Sequence, residues 1–285
     1  MRKFYRSNIR ATALLSAVLM ATAAGSNTAS GAEPAATGWS GVYFGANAGY
    51  IWSSQSASYI PNDPASASIS GGANGTLLSN SDVDYRGGFG GFQIGSNWHV
   101  HPRWIYGIEA DFQLGDIAGT GASSNLVGGP IAGTATASSD SKWFGTLRAR
   151  LGFLTTNELQ LFATGGLAFG RVDLDTSYTV NTGPLGIALG GFGFLCAGGV
   201  PCFVGSSSSV QTGWTVGGGA EWRISDNFSV KTEYLYVNLG SRSVRMTAVQ
   251  PFGGGALSSF RVKFDDADSH LIRIGLNYRF NSGMQ

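Results

Sequence analysis

Residues 104–114 read WIYGIEADFQL, and their alternation is the most regular in the chain. Trp104, Tyr106, Ile108, Ala110, Phe112 and Leu114 share one parity, while Glu109, Asp111 and Gln113 share the other. A period of two places these sets on opposite faces of a β-strand. The next such stretch mirrors it: Trp143, Leu147, Ala149, Leu151 and Phe153 stand against Lys142, Thr146, Arg148 and Arg150. Further along, Trp214, Val216, Ala220, Trp222 and Ile224 oppose Thr215, Glu221 and Arg223. Phe228, Val230, Tyr234 and Tyr236 oppose Ser229, Lys231 and Glu233, and Ile272, Ile274, Leu276, Tyr278 and Phe280 oppose Arg273, Asn277 and Arg279. Three Gly-rich segments, near 40–52, 87–98 and 159–171, keep the same pattern, which predicts eight strands.

The connections between these segments alternate in length. Residues 53–86, 115–141, 172–211 and 241–267 form long ones, and 99–103, 154–158 and 225–227 short ones. That rhythm fits an all-β, eight-stranded antiparallel up-and-down transmembrane β-barrel with short periplasmic turns and four long extracellular loops. Composition agrees. Gly makes up 44 of 285 residues and charged residues only 12%, about half the usual fraction for a soluble domain. So much Gly disfavours long helices. A net charge of +1, with no basic patch interleaved with aromatics, excludes nucleic acid as a partner.

Which face meets lipid is decided by three observations. Six of the seven tryptophans (Trp52, Trp98, Trp104, Trp143, Trp214 and Trp222) lie on the apolar parity near segment ends, where membrane-interface girdles form. With Tyr278 and Phe280 they make the expected aromatic girdle. An eight-stranded barrel has room inside only for a filling of side chains, not for this many aromatics. The charged parity is also the glycine parity, with Gly91, Gly95, Gly107, Gly152, Gly166, Gly217, Gly219 and Gly275 leaving space for long charged groups. The expected lumen therefore holds Glu109, Asp111, Glu221 and Glu233 with Lys142, Arg148, Arg150, Arg223, Lys231, Arg273 and Arg279. Buried charges must pair, so a salt-bridge network plugging the barrel is expected. A narrow porin for small solutes is the alternative.

The N-terminus carries Arg2, Lys3, Arg6 and Arg10 ahead of an apolar run from Ala11 to Ala24. This reads as a cleaved signal peptide, with cleavage after Ala23 or, as we place it, after Ala32. The domain plan is thus 1–32 signal, 33–280 barrel and 281–285 overhang. Cys196 and Cys202 are close in sequence and fit a short-range disulfide in an exported chain, two unpaired thiols being the alternative. Adjacent Ser269 and His270 point to opposite strand faces, which argues against a nucleophile–base pair. His99 and His101 in a short turn lack a third ligand. No enzyme activity, cofactor or metal is expected.

Six stretches carry a family resemblance: WSGVYFGANAGY from Trp39, WIYGIEADFQ from Trp104, SKWFGTLRARLGF from Ser141, LFATGGLAFGRV from Leu161, GGGAEWRISDNFSVKTEYLYVNLG from Gly217 and HLIRIGLNYRF from His270. Together they resemble the small outer-membrane immunogenic or porin-family proteins of alphaproteobacteria, with an OmpA-type barrel. The resemblance implies a Gram-negative outer-membrane location and a structural, surface-exposed role in envelope integrity. It implies lipid and lipopolysaccharide as surroundings, surface ligands met by the loops, and the barrel-assembly machinery as a partner in biogenesis. Family barrels end on an aromatic residue that serves as the assembly signal. Here Phe280 takes that place, and an overhang from Asn281 to Gln285 comes after it.

Overall fold

A computed structural model describes residues 38–64, 66–67, 80–127, 131–180, 199–249 and 258–280. The expected signal peptide and the overhang 281–285 lie outside the described residues, as does Cys196.

The strands are β1 Gly41–Pro61, β2 Ser81–His101, β3 Trp104–Val127, β4 Ile131–Leu154, β5 Leu159–Val180, β6 Pro201–Arg223, β7 Phe228–Asn238, β8 Arg242–Ala248, β9 Ser259–Phe264 and β10 Asp268–Arg279. Strands β1 to β7 pair in sequence order, all antiparallel. β7 then pairs with β10, and β10 closes onto β1 through Phe44↔Tyr278 and Tyr50↔Ile272. Eight strands thus make one closed lower storey with no free edge, the arrangement a lipid environment requires.

Above it the chain keeps pairing. β8 and β9 form a hairpin that pairs with β6 on one side and β1 on the other. The seventh and eighth arms of the barrel are therefore each interrupted once. Between β7 and β8 the break falls at Leu239–Ser241, where Gly240 takes a left-handed φ of +73°. The second break falls at 265–267. Ten strands and eight arms describe the same barrel.

Strand lengths differ from the sequence expectation. β3 and β4 each run 24 residues, against the 9–11 a membrane crossing needs. Much of what reads as four long loops is continued strand. The cause is visible along β1. In the lower storey Phe44 and Tyr50 face out and Asn47 faces in. Higher up, Ser54 and Ser58 face out while Ala57 and Tyr59 are buried inside. The alternation never breaks, but its polarity swaps where lipid gives way to water. β5 does the same, with Val172, Leu174 and Tyr178 inside and Arg171, Asp173 and Asp175 outside.

The upper interior is an apolar core built on Phe203, Phe260, Phe264, Val262, Met246, Val83 and Leu174. A second apolar cluster, Ile51, Phe89, Ile117, Phe144, Leu235 and Leu271, lies beneath it. Phe89 meets Phe144 edge-on at 5.1 Å. Charged side chains fill the interior below these two layers.

Candidate functional site in the barrel lumen

At the end with short turns, Trp39 is 1% exposed and packs on Ile105 and Leu154. Its Nε1 donates to the Asn157 carbonyl at 3.0 Å. The Arg279 guanidinium lies 4.9 Å over its ring and Arg223 5.8 Å, distances at which a cation is attracted to an indole face. Trp39 thus sits across the mouth at the short-turn end. It shares the odd, lumen-facing parity of Tyr43, a signal visible in the sequence.

Above it comes a first charged layer around Glu221. Arg150 donates to Glu221 Oε2, while Ser229 and Asn277 donate to Oε1 at 2.6 and 3.0 Å. Arg279 lies 3.6 Å away. Arg150 also donates to Gln160 at 3.0 Å and stacks 3.8 Å over the Phe162 ring.

The second layer joins three carboxylates to three cations. Arg148 reaches Glu109, Asp111 at 3.0 Å and Glu233 at 2.6 Å. Arg273 reaches the same three, at 3.2, 3.1 and 2.6 Å. Lys231 donates to both Glu109 oxygens at 2.8 and 2.7 Å. Every side chain in this layer is at most 2% exposed. β3, β4, β7 and β10 contribute, so several contacts cross the lumen rather than run along its wall. Such desolvated charges hold only when paired and hydrogen-bonded. Tyr43 from β1 adds a donor to Glu109 at 2.7 Å, and Thr146 one to Asp111 at 2.6 Å.

The lumen glycines are spacers for these groups. A Cβ on Gly95 would come 2.4 Å from the Tyr43 hydroxyl, and one on Gly152 would overlap the Gln160 amide at 1.7 Å. Such approaches require the neighbour to move, so larger residues here displace the network.

The structure brings together Glu109, Asp111, Arg148, Arg150, Glu221, Lys231, Glu233, Arg273 and Arg279 of the expected network. Arg223 sits half-buried at the rim beside Trp39. Lys142 is a correction. Its side chain is 57% exposed on the outer surface, 2.7 Å from Asp116 and 3.2 Å from Asp140. β4 skips register between Asp140 and Phe144, and β3 skips between Leu114 and Ile117. A bulge adds one residue and reverses the facing of the residues beyond it, so parity counted from Arg148 fails at Lys142.

On the outside, Trp52, Trp143 and Trp214 ring the upper boundary, against His270, Phe112 and Tyr236 at 5.9, 5.6 and 5.2 Å. Trp98, Trp104, Trp222, Tyr278 and Phe280 ring the lower one, with Trp98 on Tyr106, Trp104 on Phe153 and Tyr278 on Phe280 each at 5.1 Å. Trp214 and Trp222 are eight residues apart on β6. At about 3.4 Å per residue and a tilt of about 40°, that separation is roughly 21 Å of height, close to the apolar band of outer-membrane barrels. Phe92, Ile94, Ile108, Leu147, Leu167 and Ile274 lie between the rings, each more than half exposed.

Ser269 points inward and meets the Tyr85 hydroxyl at 2.8 Å, while His270 points outward to the Tyr234 hydroxyl at 2.7 Å. His99 Nδ1 meets the Ser40 hydroxyl at 2.6 Å, and His101 is exposed. Cys202 is buried at the start of β6.

Comparison with known proteins gives a consistent picture. The 31 kDa outer-membrane immunogenic protein of Brucella melitensis is 33% identical over 244 residues, covering 85% of this chain and 84% of that protein. The 22 kDa outer membrane protein of Rhizobium leguminosarum is 25% identical over 197 residues, 68% of this chain and 67% of that one. Among solved structures, OprG of Pseudomonas aeruginosa is a distant likeness, with a TM-score of 0.45 and 10% identity over 87% of this chain and all of that one. The family model for the outer membrane protein beta-barrel domain matches residues 11–280. With the closed lower storey, the lipid-facing aromatic rings and the charged interior, this chain belongs to the outer membrane beta-barrel family and resides in the outer membrane.

Proposed function

We propose that the protein is a plugged structural barrel that supports the envelope and presents a rigid surface outward, without catalytic activity. One observation carries the reading: Arg148 and Arg273 each bind a carboxylate on a neighbouring strand and another across the lumen, in a layer excluded from solvent. Two apolar layers lie above that plug and Trp39 lies below it. An open channel needs a wider barrel than eight strands give. The opposed orientations of Ser269 and His270 support a non-enzymatic role.

The apolar band between the aromatic rings would contact lipid, with lipopolysaccharide in the outer leaflet. Phe280, at the close of β10, would present the terminal aromatic to the barrel-assembly machinery. The outward end would meet host or cell-surface ligands, and Cys196 would pair with Cys202 to fasten the segment ahead of β6. The test is conductance in planar bilayers. The expected record is a baseline without steady steps, and regular single-channel openings would replace this reading with the narrow porin.

A further inference from the structure

The outer surface of the upper storey carries an unbalanced group of cations. Register places Arg245 of β8 directly opposite Arg261 of β9, and Lys263 opposite Ser243 one step along the same face. All three are exposed. Like charges directly across a ladder destabilise it, so the pair calls for an anion. Asp175 lines the same outer face as Arg245 but forms no ion pair with it. Neither Arg245 nor Arg261 has an ion-pair partner among the described residues, and Lys263 reaches only Asp265, at 3.3 Å. Residues 65, 68–79, 128–130, 181–198 and 250–257 contain no Asp or Glu. Asp63, at the far end of β9, is occupied by Ser66, Ser258 and Ser259.

A second feature adjoins the cations. An open groove of about 590 Å³ runs from Arg245 across β6 and β5 to β4, lined by Thr136, Ser138, Asp175, Ser177 and Ser206. Rows of hydroxyls beside a carboxylate suit the hydroxyls of a sugar chain.

Height decides between two sources of anion. Arg261 pairs with Ile60, eight residues along β1 from the girdle residue Trp52. At about 3.4 Å per residue and a tilt of about 40° this is roughly 21 Å above the membrane boundary. Lipid charges are screened within about 8 Å at physiological salt, so headgroup phosphates of the barrel's own leaflet do not reach the patch. We propose that Arg245, Arg261 and Lys263, with the adjoining hydroxyl-lined groove, bind an anionic polysaccharide. This rests on the outward orientation in the function proposed above but not on the plug, which conductance tests separately.

The experiment uses the full barrel in nanodiscs of zwitterionic lipid, passed over immobilised heparin as a sulfated probe, over neutral dextran and over purified lipopolysaccharide. Heparin should retain the protein and dextran should not, with binding that weakens as salt rises. The triple variant Arg245→Gln, Arg261→Gln and Lys263→Gln should bind heparin about tenfold more weakly, each exposed contact contributing a few-fold. Lys142→Gln, whose cation is already paired, should bind as the parent does. Folding of each variant is checked by the shift in gel migration on boiling. Should the triple variant not fold, Arg261→Gln alone must still weaken heparin binding. Equal retention of parent and variant, no retention on heparin, or capture by lipopolysaccharide alone overturns the proposal.

Discussion

Arg148 Nη1 lies 2.6 Å from Glu233 Oε1, joining β4 to β7 across the barrel interior although β5 and β6 separate them in the wall. The contact is a strut rather than a wall bond. Removing one end leaves the buried layer of three carboxylates and three cations with one uncompensated charge, and breaking such a pair typically costs about 3–5 kcal/mol. Glu233→Gln should therefore lower the urea midpoint of the barrel in vesicles by a corresponding amount. The double variant Arg148→Met with Glu233→Gln should cost less than the two single changes added together, because removing both charges keeps the layer balanced. Additive losses would show that the strut does not act as a unit.

The outer surface changes solvent along each strand, and a charge placed on it should report the boundary. Leu147 faces out between the aromatic rings and is 51% exposed. Leu147→Arg should destabilise the inserted barrel by about 2–4 kcal/mol, the usual cost at mid-bilayer. Thr120 also faces out but lies in the upper storey. Thr120→Arg should stay within about 0.5 kcal/mol of the parent, as surface changes do. Equal costs at the two sites would contradict the position of the boundary.

Trp39 separates sealing from stability. It is buried against Ile105 and Leu154, and truncating a buried Trp costs about 3–5 kcal/mol. Trp39→Ala should lower the unfolding midpoint yet leave bilayer conductance at baseline, because the two charged layers lie above the gap. Steady openings in this variant alone would make Trp39 the seal.

Asp63 should make the outward tip sensitive to acid. Burial pushes its carboxyl up, but the backbone N–H groups of Ser66 and Ser259 and the Ser258 hydroxyl outweigh this and hold it below the ordinary carboxylate value. A lowered folded value contributes stability that is present above the unfolded value of about 3.9 and lost as pH falls through the folded one. Amide exchange at Ser66 and Ser259, corrected for intrinsic rate, should accelerate below about pH 4. Asp63→Asn should remove that pH dependence. Constant protection down to about pH 3, well under the unfolded value, would show that these hydrogen bonds do not depend on the charge.

Much of the barrel is legible in the residues themselves. Glu109, Arg148 and Glu233 fall on one parity with glycines, and the tryptophans fall on the other, which is enough to turn the barrel inside out relative to a soluble one. Two things escape such counting. Parity is a local count, and the bulge between Asp140 and Phe144 resets it without a marker in composition, so Lys142 emerges on the wrong face. Polarity is relative to solvent, so Arg171, Asp173 and Asp175 outside with Val172 and Leu174 inside look unlike a membrane strand, though they continue one. Which strands the cross-lumen contacts join depends on barrel closure, a long-range property that no single segment encodes.

The continued strands of the upper storey have a consequence for how the protein is seen from outside. Along a strand only every second side chain reaches the surface, as Ser54, Ser56 and Ser58 do while Gln55, Ala57 and Tyr59 are turned inward. A visible patch is therefore assembled from neighbouring strands far apart in sequence, such as Ile60 beside Arg261. A short linear peptide exposes both sets of side chains and reproduces no such patch. An antibody raised against a peptide of this region would meet an unfamiliar surface on the cell, whereas one raised against the folded barrel would read several strands at once.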